Sequence, residues 1–223
     1  MAIIAEKREG DFQKVNPGMY VARCYSMIEI GTITTEFNGE TKKAHKVAIT
    51  WELPTELAVF NKDKGEEPYV VTKTYTLSMH EKSTLRKDLE SWRGKGYTDE
   101  EARRFDITKL LGVPCNLNVI HVPGKDNKTY VQVASISPLM KGQTCPDQIN
   151  QTRVLSFDEF NWDVFNSLSD YMKDKIKSSE EFQMLEEPQT TRVEEEFVVG
   201  DNNFMSDSRK AKMTNKNPND LPF

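Results

Sequence analysis

The side chains able to do chemistry are scattered along this chain. Cys24, Cys115 and Cys145 lie far apart and form no Cys-x-x-Cys pair, so neither a disulfide framework nor a zinc knuckle is indicated. His45, His80 and His121 are equally dispersed, without metal-ligand spacing. No metal and no other cofactor is expected. Gly94-Lys95-Gly96 lacks the preceding glycine of a phosphate-cradling loop, and neither Gly-x-Ser-x-Gly nor His-Glu-x-x-His occurs. The acidic clusters at Glu100-Glu101 and Glu194 to Glu196 fit a helix start and solvated charge better than paired acid/base chemistry. The sequence predicts a binding protein, not an enzyme. A nuclease would need carboxylates gathered from scattered positions around Mg²⁺.

Binding chemistry is better represented. Tyr20, Tyr25, Trp51, Tyr69, Tyr75 and Tyr130 fall in predicted strands, interleaved with basic residues. An aromatic ring exposed on a basic sheet face stacks on an unpaired base for about 1–3 kcal/mol and tolerates any sequence. The candidate nucleic-acid contacts are therefore Arg23, Tyr25, Lys42, Lys43, Lys46, Trp51, Lys73, Tyr75, Lys128 and Tyr130. Half of a strand's positions face inward, so each ring is also a core candidate. Trp51 shares a face with Val47 and Ile49, which argues for burial.

Composition bounds the rest. The chain has 223 residues, 37% hydrophobic and 29% charged, enough for one sizeable core with a poorly packed remainder. The net charge of −5 is unevenly spread. Residues 14–143 hold 19 basic against 16 acidic side chains (net +3), while 144–223 hold 9 against 16 (net −7). A mildly basic body followed by an acidic third hints at a polyanion ligand. No apolar run reaches the roughly 18 residues of a membrane span, and residues 1–9 lack the apolar stretch of a secretory signal. The expectation is a soluble, cytoplasmic protein without a membrane partner.

Those candidates need a sheet to carry them. Met19 to Thr35 is rich in aromatic and β-branched residues, and Asn38-Gly39 is a hairpin signal. A second strand runs from about Lys43 to Leu53, ended by Pro54, and a third from Tyr69 to Met79. Leu85, Leu89 and Trp92 then take helical spacing, stopped by Gly94-Lys95-Gly96. Thr98 and Glu101 form a capping box for a short second helix. Strands return at Pro114 to Val122 and Thr129 to Leu139. Three strands, a helical connection and two strands is the element order of the OB-fold, a five-stranded Greek-key barrel. The expected organisation is an OB-fold domain at 1–143, a helical and acidic extension at 144–200, and a disordered tail at 201–223. Within the extension, Phe157 to Ile176 has the spacing of one amphipathic helix packed against the barrel.

Two resemblances bear on function. Residues 84–94 (Thr-Leu-Arg-Lys-Asp-Leu-Glu-Ser-Trp-Arg-Gly), 105–115 (Phe-Asp-Ile-Thr-Lys-Leu-Leu-Gly-Val-Pro-Cys) and 136–142 (Ile-Ser-Pro-Leu-Met-Lys-Gly) resemble a phage-encoded single-stranded DNA-binding protein family. That resemblance implies an OB-fold that serves phage replication, recombination and repair in the host cytoplasm. Asp220-Leu221-Pro222-Phe223 is similar to the C-terminal tip of bacterial single-stranded DNA-binding proteins, with one acid where those tips carry several. It implies that these four residues dock replication or recombination proteins, an apolar ring in a pocket and a carboxylate on a basic residue. The implied partners are single-stranded DNA and those proteins, and a homo-oligomer is compatible with the sequence. The alternative reading is a phage protein-interaction or structural module whose barrel holds a protein instead of DNA.

Overall fold

A computed structural model describes residues 14–37, 39–124 and 128–185. Residues 1–13, 38, 125–127 and 186–223 lie outside these, and the expected tail and its tip at Asp220–Phe223 fall among them. No helix among the described residues is long and apolar enough to cross a membrane.

The fold is mainly β, a curled and largely antiparallel sheet shaped as a half-barrel. β1 (Gly18–Phe37) is its shared strand. Residues Gly18–Arg23 pair with β4 (Pro114–Pro123), whereas Arg23–Phe37 pair with β2 (Glu40–Asn61). Register shifts at Cys24/Ser26 and Glu29/Gly31 mark bulges, which bend a strand and increase its twist. β3 (Gly65–Thr76) pairs with β2, and β5 (Thr129–Ser137) with β4, giving the path β3-β2-β1-β4-β5. Its two end strands approach one another. β6 (Arg153–Leu155) joins β1 in parallel at Ser26–Ile28.

Of the Asn-Gly signal, Gly39 is described, in a turn at φ 77° between β1 and β2, while Asn38 lies outside the described residues. Pro54, however, does not end the second strand: β2 runs on to Asn61. The β1 ladder stops at Glu52 and the β2–β3 register slips between Leu53 and Leu57, so no ladder demands the N–H that proline lacks. β2 and β3 thus continue past β1 as a two-stranded arm, and β3 starts at Gly65 rather than near Tyr69.

Inside the curl, Val47, Ile49, Trp51 and Leu53 of β2 and Val71 and Tyr75 of β3 are buried, as their period of two predicts. α1 (Thr84–Arg93) adds Leu85, Leu89 and Trp92 to this core, and the Trp51 and Trp92 ring centroids lie 5.8 Å apart. Ser83 caps α1 by accepting the Arg86 N–H, and Gly94 closes it at φ 75°. α2 (Asp99–Arg103) opens on the expected capping box: Thr98 Oγ1 accepts the Glu101 N–H at 3.2 Å and the Glu101 carboxylate accepts the Thr98 N–H at 3.0 Å.

A second core lies on the outer face. The single helix expected at Phe157–Ile176 is instead α3 (Trp162–Asn166) and α4 (Asp170–Lys177), followed by α5 (Glu180–Gln183). Asn161, Ser169 and Ser179 accept the amides of Val164, Met172 and Phe182, and each side-chain cap starts a new helix. Leu155, Phe165 and Ile176 are buried against Ile28, Ile30 and Ala48, so the extension does pack on the sheet.

Carboxylates of the sheet and of α5 anchor this layer. Glu52, fully buried in β2, accepts the N–H groups of Ile149 (2.7 Å) and Asn150 (2.7 Å) and the Asn150 Nδ2 amide (2.8 Å). Glu181 accepts the Thr32 N–H and hydroxyl, each at 2.6 Å, and stands 3.1 Å from His45 Nδ1. His45 Nε2 lies 2.7 Å from Glu29. Gly31, at φ 91°, admits this approach, since a Cβ there would sit 2.6 Å from Ser179 Cβ and Glu181 Oε2. Partial burial raises the Glu181 carboxyl, but the Thr32 hydrogen bonds outweigh it and hold it at about 2.

Glu52→Ala leaves three donors without their acceptor and should cost roughly 3–5 kcal/mol in urea unfolding. Because the folded Glu181 carboxyl is depressed, its contribution is complete above its unfolded value near 4.3 and is lost as pH falls from about 5 toward 2. The Thr32 amide should lose hydrogen-exchange protection over that window in the native protein, and should keep it in full if Glu181 does not hold α5.

Candidate nucleic-acid interface

Of the ten predicted DNA contacts, three rings are core. Trp51 is 0%, Tyr75 3% and Tyr25 4% exposed, which leaves no ring face for a base. That expectation is corrected. Trp51 and Tyr75 share the inward parity of Val47, Ile49 and Val71, and the Tyr75 hydroxyl donates to Asp88 at 2.8 Å. Burial and the Asp88 charge push the Tyr75 phenol far up. The Trp51 Nε1–H has no partner, the one such buried side-chain donor among the described residues.

Several cations are also committed. Arg23 donates to the carbonyls of Gly112 (2.6 Å), Pro146 (2.8 Å) and Cys145 (3.3 Å), tying residues 145–146 to β1. Lys73 pairs with Asp88 at 2.6 Å, Lys42 with Glu40 at 3.5 Å and Lys43 with Glu180 at 2.5 Å. Lys128 is exposed, and Tyr130 is 53% exposed with its ring packed on Gly124. Lys46 donates to the Thr76 hydroxyl at 2.8 Å and pairs with no carboxylate among the described residues.

Lys46 marks the surface that the structure does assemble. With Val71, Lys73 and Tyr75 facing in, β3 turns Val70, Thr72, Thr74 and Thr76 outward, a row of about 20 Å at ~3.3 Å per residue. Three adjoining clefts follow this row. At the arm, Phe60 and Tyr69 meet edge to face (centroids 5.0 Å, interplanar 87°) over a cleft shared with Lys14, Val15 and Val131. In the middle, Thr50 and Thr72 share a hydroxyl hydrogen bond of 2.9 Å beside Tyr25 and Arg153, whose guanidinium lies 5.6 Å from the Tyr25 centroid. At the far end, Thr74 and Thr76 face Lys46, His80 and Lys82. Among the described residues, no Asp or Glu lines any of the three clefts.

A cleft of about 830 Å³ between α2 and β6 is different in kind. Arg103, Arg104 and Lys109 share its wall with Glu29, Asp106 and Asp158, a mixture that does not favour a polyanion. No group of three or more His, Cys, Asp or Glu able to hold a metal ion occurs among the described residues.

Sequence reasoning missed Phe60, Arg153, His80, Lys82 and the threonine row. The row was visible as Thr-x-Thr-x-Thr once Tyr75 is assigned inward. Phe60 was hidden by ending the strand at Pro54. No family model matches the chain, and neither a curated protein nor a solved structure gives a significant match.

Trp51→Ala and Tyr75→Ala should each cost roughly 3–5 kcal/mol of stability. Thermal melts beside binding isotherms on the folded fraction check this. A variant that melts normally yet binds a strand more weakly would return that ring to the interface.

Proposed function

We propose that this protein binds single-stranded DNA, with little sequence preference, on an OB-type barrel. The observation that carries the reading is the hydroxyl- and cation-lined row from Val70 to Thr76, whose clefts hold no Asp or Glu among the described residues and end in the Phe60–Tyr69 pair, on a chain whose net charge is −5. Cations without opposing carboxylates attract phosphate, and an exposed ring beside them takes an unpaired base. The OB assignment rests on element order and on the path β3-β2-β1-β4-β5 with its end strands close together. A role in phage replication, recombination and repair, with partner enzymes docked through Asp220–Phe223, rests on the sequence resemblances alone.

One observation favours the protein-interaction alternative. Leu57, Val59, Phe60 and Val70 leave 45–51% of their surface exposed on the arm, an apolar patch suited to a partner protein.

Fluorescence anisotropy with an unstructured oligonucleotide and its duplex separates the two. Single strands should bind more tightly, with log K falling against log salt at a slope of roughly −3 if Lys14, Lys46, Lys82 and Arg153 each neutralise one phosphate. Phe60→Ala should weaken binding by about 1–3 kcal/mol without changing the melting temperature. Equal affinity for duplex and single strand, or no binding at low salt, sinks the DNA reading and leaves the protein-interaction module.

A further inference from the structure

We propose that the cleft where β3 gives way to α1 is a binding site for a phosphate monoester. Its volume is about 480 Å³, and Lys46, His80 and Lys82 line it together with the hydroxyls of Thr74, Thr76 and Thr84. The walls are set by hydrogen bonds that leave the cations available. Lys46 Nζ uses one N–H on Thr76 Oγ1, at 2.8 Å. His80 Nδ1 accepts the Lys82 N–H at 3.1 Å, which puts the proton of the neutral ring on Nε2, a donor. Ser83 Oγ donates to the Ser78 carbonyl at 2.6 Å and accepts the Arg86 N–H at 3.2 Å, so it closes the turn and has little left for a ligand. Asp88, the carboxylate below, is held by Lys73 and Tyr75 and does not line the cleft.

The charge selects the ligand class. Two lysines, with no Asp or Glu among the described residues that line the cleft, supply twice what a backbone diester needs, whereas a monoester carries about −1.5 to −2 at pH 7. Lysine ammonium groups suit such an ion as compact point charges, and the hydroxyls and imidazole N–H add directed donors. The phosphate can come from solution, as inorganic phosphate or a mononucleotide, or from the end of a nucleic-acid strand lying along β3. The second source rests on the proposed DNA-binding function.

The full-length protein, labelled with ¹⁵N, is titrated with inorganic phosphate and with dimethyl phosphate at constant ionic strength, following the amides of residues 82–85. Inorganic phosphate should shift these amides, dimethyl phosphate should bind about tenfold more weakly, and K46Q/K82Q should lose about tenfold in phosphate affinity with its melting temperature kept. Equal responses to the two anions, shifts spread over the whole surface, or indifference to K46Q/K82Q would overturn the site. Oligonucleotides carrying a 5′-phosphate, a 3′-phosphate or neither identify the source, because a strand-end site prefers one phosphorylated end. If phosphate binds there but no unphosphorylated strand binds the protein, the site stands and the DNA reading fails. If strands bind and phosphate has no effect on residues 82–85, the reverse holds.

Discussion

The architecture depends on how β1 is shared. One strand pairs with β4 through its first residues, with β2 through the remainder and with β6 at Ser26–Ile28. An unbulged strand keeps one twist and one set of neighbours. The bulges at Cys24/Ser26 and Glu29/Gly31 bend β1, so its two portions serve different parts of a curled sheet. The inner core of Trp51, Leu117, Val119 and Trp92 and the outer core of Ile28, Phe165 and Ile176 both form around it.

Burying both faces of β1 and β2 decides where a ligand can go. Ala48 and Glu52 point away from the inner core yet are buried, because residues 144–185 cover them. β3 lies beyond that cover, and its outward threonines stay open to solvent. The anchors are buried or half-buried carboxylates: Glu52 on the amides of Ile149 and Asn150, Glu181 on Thr32, and Glu29 on His45 and the Phe157 amide. Such groups persist away from water only when their lone pairs are filled by donors. Beside β3, Asp88 is paired with Lys73. A chain of net negative charge thus presents, from Val70 to Thr76, clefts lined by no Asp or Glu among the described residues, which bulk charge does not predict.

Local patterns told most about the inner half of the fold. The alternation Val47, Ile49, Trp51, Leu53, the helical spacing of Leu85, Leu89 and Trp92, the Thr98/Glu101 capping box and the turn at Gly39 each rest on residues a few positions apart, and each is found in place. Patterns that need a partner from far along the chain misled. Pro54 reads as a stop, and only the end of the β1 ladder at Glu52 makes it harmless. Phe157–Ile176 reads as one helix, and the caps at Asn161 and Ser169 divide it where the outer face of the sheet has to be met.

The sequence by itself determined the order of the first five strands with the helical connection between the third and fourth, the alternation of β2 and the absence of a recognisable catalytic motif, because these follow from short-range periodicity and residue type. It could not decide which aromatic and basic side chains stay free. Trp51 and Phe60 are both aromatic residues of β2, yet one is fully buried under Trp92 and the other is 47% exposed on the arm. Lys46 and Lys73 are both strand lysines, yet one meets a hydroxyl and the other a carboxylate fifteen residues away. Availability depends on what the rest of the chain brings within a few ångströms, and only the tertiary structure sets that.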